Sequence, residues 1–151
     1  MNNQIKRSAL IDYSPDHMFD LVNDIESYPD FIDGCVATEL LEKTEHHVLA
    51  KMSLKKAGFA INLTTKNILI RPSKIILTLV DGPFESFEGE WTFTEVGPDA
   101  CKLSLDLSFQ LNNSIARFAA SKLMTLVAND LVNVICFRAA RLYGDASPAN
   151  S

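Results

Sequence analysis

The stretch Cys101-Lys102-Leu103-Ser104-Leu105-Asp106-Leu107-Ser108-Phe109 decides the fold. In an extended chain, Leu103, Leu105, Leu107 and Phe109 fall on one side and Lys102, Ser104, Asp106 and Ser108 on the other. One dry face and one wet face is the pattern of an antiparallel sheet. Reading back toward the N-terminus, the same alternation recurs. Phe87, Gly89, Trp91 and Phe93 oppose Glu88, Glu90 and Thr92; Ile75, Leu77 and Leu79 alternate with Ile76, Thr78 and Val80. Phe59, Ile61 and Leu63 alternate with Ala60, Asn62 and Thr64 in a strand that runs toward Ile70, and residues 36–42, 48–54 and 4–11 supply three more runs. Lys55-Lys56-Ala57-Gly58, Arg71-Pro72-Ser73, Asp81-Gly82-Pro83 and Gly97-Pro98-Asp99 punctuate them as loops and turns.

Helices flank this series. Ser14-Pro15-Asp16 predicts a helix start, with Ser14 as N-cap and Pro15 in the first helical position. Tyr28-Pro29 restarts a second short helical turn that Gly34 ends. Asn112-Asn113-Ser114 reads as a cap, and residues 115–143 contain no Pro or Gly before Gly144. A continuous helix there is about 45 Å long. The chain is therefore expected to be one α+β domain over residues 1–144: a curved antiparallel sheet of about seven strands wrapped around a long C-terminal helix, with one or two short helices after the first strand. Residues 145–151 are expected to be a disordered tail.

Composition narrows the function classes. With 151 residues, 47% hydrophobic and 22% charged, the chain suits a single globular domain. A net charge of −5 speaks against a nucleic-acid footprint, which needs a basic face, and no DNA partner is expected. Cys35, Cys101 and Cys136 are odd in number and widely spaced, neither a disulfide framework nor a zinc set; they read as reduced thiols of a cytoplasmic protein. Residues 1–7 are polar with no apolar h-region, so no signal peptide is expected. Asn129, Asp130 and Asn133 interrupt the most apolar run, so no transmembrane helix is expected and any membrane contact is peripheral, at the inner face.

Catalytic or metal chemistry has no constellation to carry it. His17 lies near a helix start and His46-His47 in a polar turn, with no partner at a metal-ligand spacing, and no G-x-S-x-G nucleophile motif occurs. No catalytic residue, metal site or cofactor is expected. The inward positions of the sheet and the broad apolar face of the long helix either close on one another as a packed core or enclose a cavity; periodicity does not separate the two.

Two motifs carry a resemblance. One is Leu21-Val22-Asn23-Asp24-Ile25-Glu26-Ser27-Tyr28-Pro29-Asp30-Phe31 followed by Gly34-Cys35. The other is Leu79-Val80-Asp81-Gly82-Pro83-Phe84, then Phe87, Gly89, Trp91 and Phe93. With Lys56-Ala57-Gly58 and the spacing to the helix, residues 3–143 resemble the START-like polyketide cyclase/dehydrase superfamily with its helix-grip fold. Within it they resemble the coenzyme Q-binding protein and ribosome association toxin A family. Asp33 departs from the family's frequent proline, and Phe87 replaces a common aliphatic residue and would narrow a pocket.

The resemblance implies an apolar tunnel between sheet and helix that holds ubiquinone or a related polyprenyl lipid as ligand, for respiratory electron transfer or quinone synthesis. The alternative it implies is binding to the large ribosomal subunit and inhibition of subunit joining. A polyketide cyclase-type enzyme is the third reading. Candidate ligand-binding residues are Leu63, Leu77, Leu79, Phe93 and Leu105 on the sheet and Phe118 and Leu126 on the helix. Phe31 and Phe84 join them on turn-rich segments that could cover a tunnel mouth, and Phe87 and Trp91 either stack on a quinone ring or are plain core. Asp130 is a polar anchor in the cavity, or an aspartate at the stripe's edge, or paired with Arg138 or a sheet lysine. Lys51, Lys55, Lys56 and Lys66 are the candidate surface for ribosomal RNA or anionic lipid headgroups.

Overall fold

The structure, a computed structural model, describes residues 2–111 and 115–144, with side chains over 3–111 and 118–144. The expected cap at residues 112–114 and the tail at 145–151 lie outside these. The strands are β1 (Asn2–Ile11), β2 (Cys35–Lys43), β3 (His47–Lys56), β4 (Phe59–Ile70), β5 (Lys74–Asp81), β6 (Ser86–Gly97) and β7 (Ala100–Gln110). All neighbours pair antiparallel, and β1 closes the meander beside β7, giving the order β1-β7-β6-β5-β4-β3-β2. Irregular register between Cys35 and Ala37, between Leu40 and Glu42, and between Glu95 and Gly97 marks places where a strand bends, which helps the sheet curl.

Strand parity follows the sequence reading. Cys101, Leu103, Leu105, Leu107 and Phe109 are buried in alternation with exposed or half-buried partners. Between β1 and β2 come α1 (Pro15–Asn23), a single 3₁₀ turn (Ile25–Ser27) and α2 (Tyr28–Phe31). Ser14 caps α1 by accepting a hydrogen bond from the His17 backbone N–H at 3.2 Å.

The long helix departs from expectation. It consists of α3 (Ile115–Ala128) and α4 (Leu131–Tyr143), interrupted at Asn129-Asp130. Neither residue favours a helix interior, because short polar side chains compete for the backbone. The Asn129 side-chain oxygen accepts a bond of 2.7 Å from Arg7 on β1, which ties the break to the sheet edge. The two helices have separate partners. Leu123, Met124, Val127 and Ala128 join the core beneath β3 and β4; Val132, Ile135 and Ala139 join a second core with α1, β6 and β7.

The expectation on membrane spans also needs correction. Phe118–Tyr143 spans 26 residues and holds an 18-residue window with a mean hydropathy of 1.4, long and apolar enough to cross a bilayer by length and composition. Three polar residues at the break do not outweigh the aliphatic residues around them. The buried residues of this rod form one stripe against the sheet, as in the core helix of a globular domain.

Candidate functional site

Beneath α3 the sheet and helix leave a cavity of about 80 Å³. Its floor is the inner face of the sheet. Period-2 geometry brings Leu63 and Thr65 of β4, Leu77 of β5, Phe87 and Trp91 of β6, and Leu105 and Leu107 of β7 to that face. Gly89 lies between Phe87 and Trp91 on the same face, where a Cβ would stand 2.9 Å from Leu107 Cδ1 and 3.2 Å from Leu77 Cδ1. The roof is Met124, Val127 and Ala128 of α3 with Leu131 at the start of α4. Tyr28 and Ile32 from the α2 segment, and Met52 and Leu54 of β3, complete the wall.

The lining is almost wholly apolar. Thr65 supplies a hydroxyl, which donates to Asn67 Oδ1 at 2.8 Å. Tyr28 donates its hydroxyl to the Val22 carbonyl, and burial drives its pKa well above the ordinary phenol value. Burial likewise pushes the Cys35 and Cys101 thiols up to about 11, so both are neutral small hydrophobes near pH 7. Among the described residues no group of three His, Cys, Asp or Glu side chains is placed to hold a metal ion.

The sequence-predicted ligand residues divide. Leu63, Leu77, Phe87, Trp91 and Leu105 line the cavity. Phe93 points inward too, but α1 covers that end of the sheet, and its ring packs 5.5 Å from Phe19. Phe84 is buried in an aromatic trio, 5.4 Å from both Phe87 and Phe109. Phe31 lies edge-on to Tyr28 beneath the Arg138 guanidinium, 4.9 Å from its ring centroid. Leu79 is half-buried near Gly82, and Leu126 is half-buried on the flank of α3. Phe118 is 68% exposed, because it faces away from the buried stripe. Asp130 is exposed at the helix break and makes no side-chain cap, so it is neither a cavity anchor nor paired with Arg138. Sequence reasoning missed Thr65, Leu107, Val127 and Leu131 as lining residues, and with them Tyr28, Ile32, Met52, Leu54, Met124 and Ala128. Continuing the alternation past Leu63 and Leu105 would have found the first two.

The basic residues also divide. Lys51, Lys55 and Lys66 are exposed on the outer face of β3 and β4, which no helix covers. Lys51 pairs in register with Thr64 and Lys66 with Leu49, so these two lysines are diagonal neighbours, about 7–8 Å apart at the backbone. Glu39 of β2 stands opposite Lys51. Lys56 has the opposite parity: it turns toward Gly34 and pairs with Asp33 at 3.0 Å. His47 does not sit free in a turn but pairs with Glu42 at 2.6 Å, and His17 stacks on Tyr143 at 4.9 Å between centroids.

An antiparallel sheet gripping a C-terminal helix over an apolar pocket is an architecture with known relatives. The family described as polyketide cyclase/dehydrase and lipid transport matches residues 11–136. The chain belongs to this family. Among curated relatives, the ribosome association toxin RatA of Vibrio cholerae is 38% identical over 142 residues, covering 94% of this chain and 99% of that protein. A mitochondrial coenzyme Q-binding protein COQ10 homolog B of Xenopus laevis is 22% identical over 145 residues, covering 93% of this chain and 59% of that protein. Among solved structures, the Zhui aromatase/cyclase from Streptomyces sp. R1128 superposes with a TM-score of 0.82 at 16% identity, covering 97% of this chain and 99% of that one. That likeness establishes the shared fold alone.

Proposed function

We propose that this protein is a ribosome-associated factor of the cytoplasm that acts by binding, not by catalysis, and that its partner is the large ribosomal subunit. The observation that carries the reading is near-full-length identity of 38% with a protein named for ribosome association. The outer face of β3 and β4 supports it, because Lys51, Lys55 and Lys66 form no salt bridge among the described residues and stand on uncovered strands. Glu39 stands opposite Lys51 without closing a salt bridge, so all three ammonium groups are available to phosphates. The test is a reconstituted translation reaction with the purified protein added before the subunits join. The expected result is loss of reporter synthesis, relieved by Lys51→Glu/Lys66→Glu. Undiminished synthesis at a tenfold excess over ribosomes refutes the reading.

A second reading rests on the cavity. Its almost exclusively apolar lining favours a hydrophobic ligand of the ubiquinone or polyprenyl class. At about 80 Å³ it is smaller than the roughly 150 Å³ void that admits benzene, so such a ligand enters only as α3 moves off the sheet. Solvent extraction of the purified protein followed by mass spectrometry tests this. A stoichiometric isoprenoid lipid supports the carrier role; an empty extract after incubation with ubiquinone removes it.

A further inference from the structure

The side of α3 and α4 that faces away from the sheet carries a pattern the ribosome reading does not use. Phe118, Lys122, Asn133, Phe137 and Arg141 recur at intervals of four or eleven residues, and all five are exposed. The interval of four keeps neighbours on one side within each helix, Phe118 with Lys122 on α3 and Asn133, Phe137 and Arg141 on α4. Phe118 is 68% exposed and Phe137 75%, and Leu142 beside the stripe is 50% exposed. Each phenylalanine is followed four residues later by a cation, Lys122 or Arg141, so the same aromatic-cation pair stands near either end of the rod. The phenylalanines are 19 residues apart, one on each helix.

The local charge opposes that of the chain. Residues 118–144 hold Lys122, Arg138 and Arg141 against Asp130, three cations and one anion, or +2, while the whole chain carries −5. An anionic surface is the complement. Three cations are few for a nucleic-acid footprint, which gains its affinity from many phosphate contacts. Exposed phenylalanines with Lys and Arg beside them on an otherwise polar helix face match an interfacial helix, whose rings enter the headgroup boundary while the cations reach up to the phosphates. The same rod roofs the apolar cavity through Met124 and Val127.

We infer that the outward stripe of α3 and α4 docks flat on an anionic lipid bilayer, with Phe118 and Phe137 as the two anchors and Lys122 and Arg141 as the charge contacts. The inference is independent of ribosome binding, which uses the outer face of β3 and β4.

Flotation with vesicles tests it. The purified protein is mixed in 0.1 M salt with vesicles of phosphatidylcholine and phosphatidylglycerol at 3:1, or of phosphatidylcholine alone. The native protein is expected to float with the anionic vesicles and not with the neutral ones. Lys122→Gln/Arg141→Gln is expected to weaken partition about 30-fold, at about 1 kcal/mol per cation. Phe118→Ser/Phe137→Ser is expected to weaken it at least tenfold while keeping the native thermal midpoint and large-subunit co-sedimentation, because both positions are exposed. Failure of the native protein to float, or flotation of both variants like the native protein, overturns the inference. If the native protein does not float and the phenylalanine variant loses large-subunit co-sedimentation, the stripe belongs to the ribosome contact instead.

Discussion

Gly34 is the position where a single methyl group should do the most measurable damage, and the cause can be isolated. Its backbone sits at φ +102°, and a Cβ there would stand 2.9 Å from Val127 Cγ2. Its carbonyl accepts from the Lys55 N–H at 2.8 Å, so the backbone cannot readily rotate away. Gly34→Ala thus carries two costs. A side chain at positive φ costs about 1–2 kcal/mol, and overpacking against α3 adds about 1 kcal/mol. Val127→Ala, at a site 8% exposed, removes two methyl groups and costs about 2 kcal/mol. Simple addition gives about 4–5 kcal/mol for the pair, but removing the valine methyls also removes the clash. The double variant is therefore expected to be about 1 kcal/mol more stable than the sum. Equilibrium urea unfolding of the native protein and the three variants, with unchanged m-values, measures this. Additivity within about 0.5 kcal/mol would refute the claim that Gly34 lets α3 close on the sheet.

Other expectations are simpler. Ser14→Ala removes the α1 cap and should cost about 1 kcal/mol, seen as a thermal midpoint lower by about 2–4 °C. Cys35 and Cys101 have folded-state values raised to about 11 from the ordinary 9.0. Their raised values favour the fold fully below about pH 9, and that contribution is lost as pH rises toward 11; the urea midpoint should fall across that window. A Cys35→Ala/Cys101→Ala variant should show a smaller fall. At pH 8, a thiol reagent should label Cys136 first and reach the other two only with unfolding, as peptide mapping would show. Trp91→Ala should cost about 3–5 kcal/mol and open the cavity to small aromatic probes, detectable as a probe-dependent rise in thermal midpoint.

The parts of the fold that depend on local rules were legible in the chain. Strand parity from Cys101 to Phe109 and the Ser14-Pro15 helix start need only neighbours in sequence, and both appear as read. The cavity was legible only by half. Parity says which face Phe93 and Trp91 share, but not that Phe93 packs on Phe19 of α1 while Trp91 lines the cavity. Phe118 and Asp130 were misplaced because the rotation of α3 and the break at Asn129-Asp130 depend on tertiary contacts such as Arg7 to Asn129. Lys56 was grouped with Lys51 and Lys66 by sequence proximity, although its parity within β3 turns it toward Asp33.

Co-sedimentation with isolated large ribosomal subunits at about 0.1 M salt tests the central claim most directly. The native protein should pellet with large subunits and not with small ones, saturate at one copy per subunit, and lose at least tenfold in affinity in Lys51→Glu/Lys66→Glu. No pelleting with large subunits, or equal pelleting of the charge-reversed variant, would contradict the assignment of the β3–β4 face as the ribosome contact.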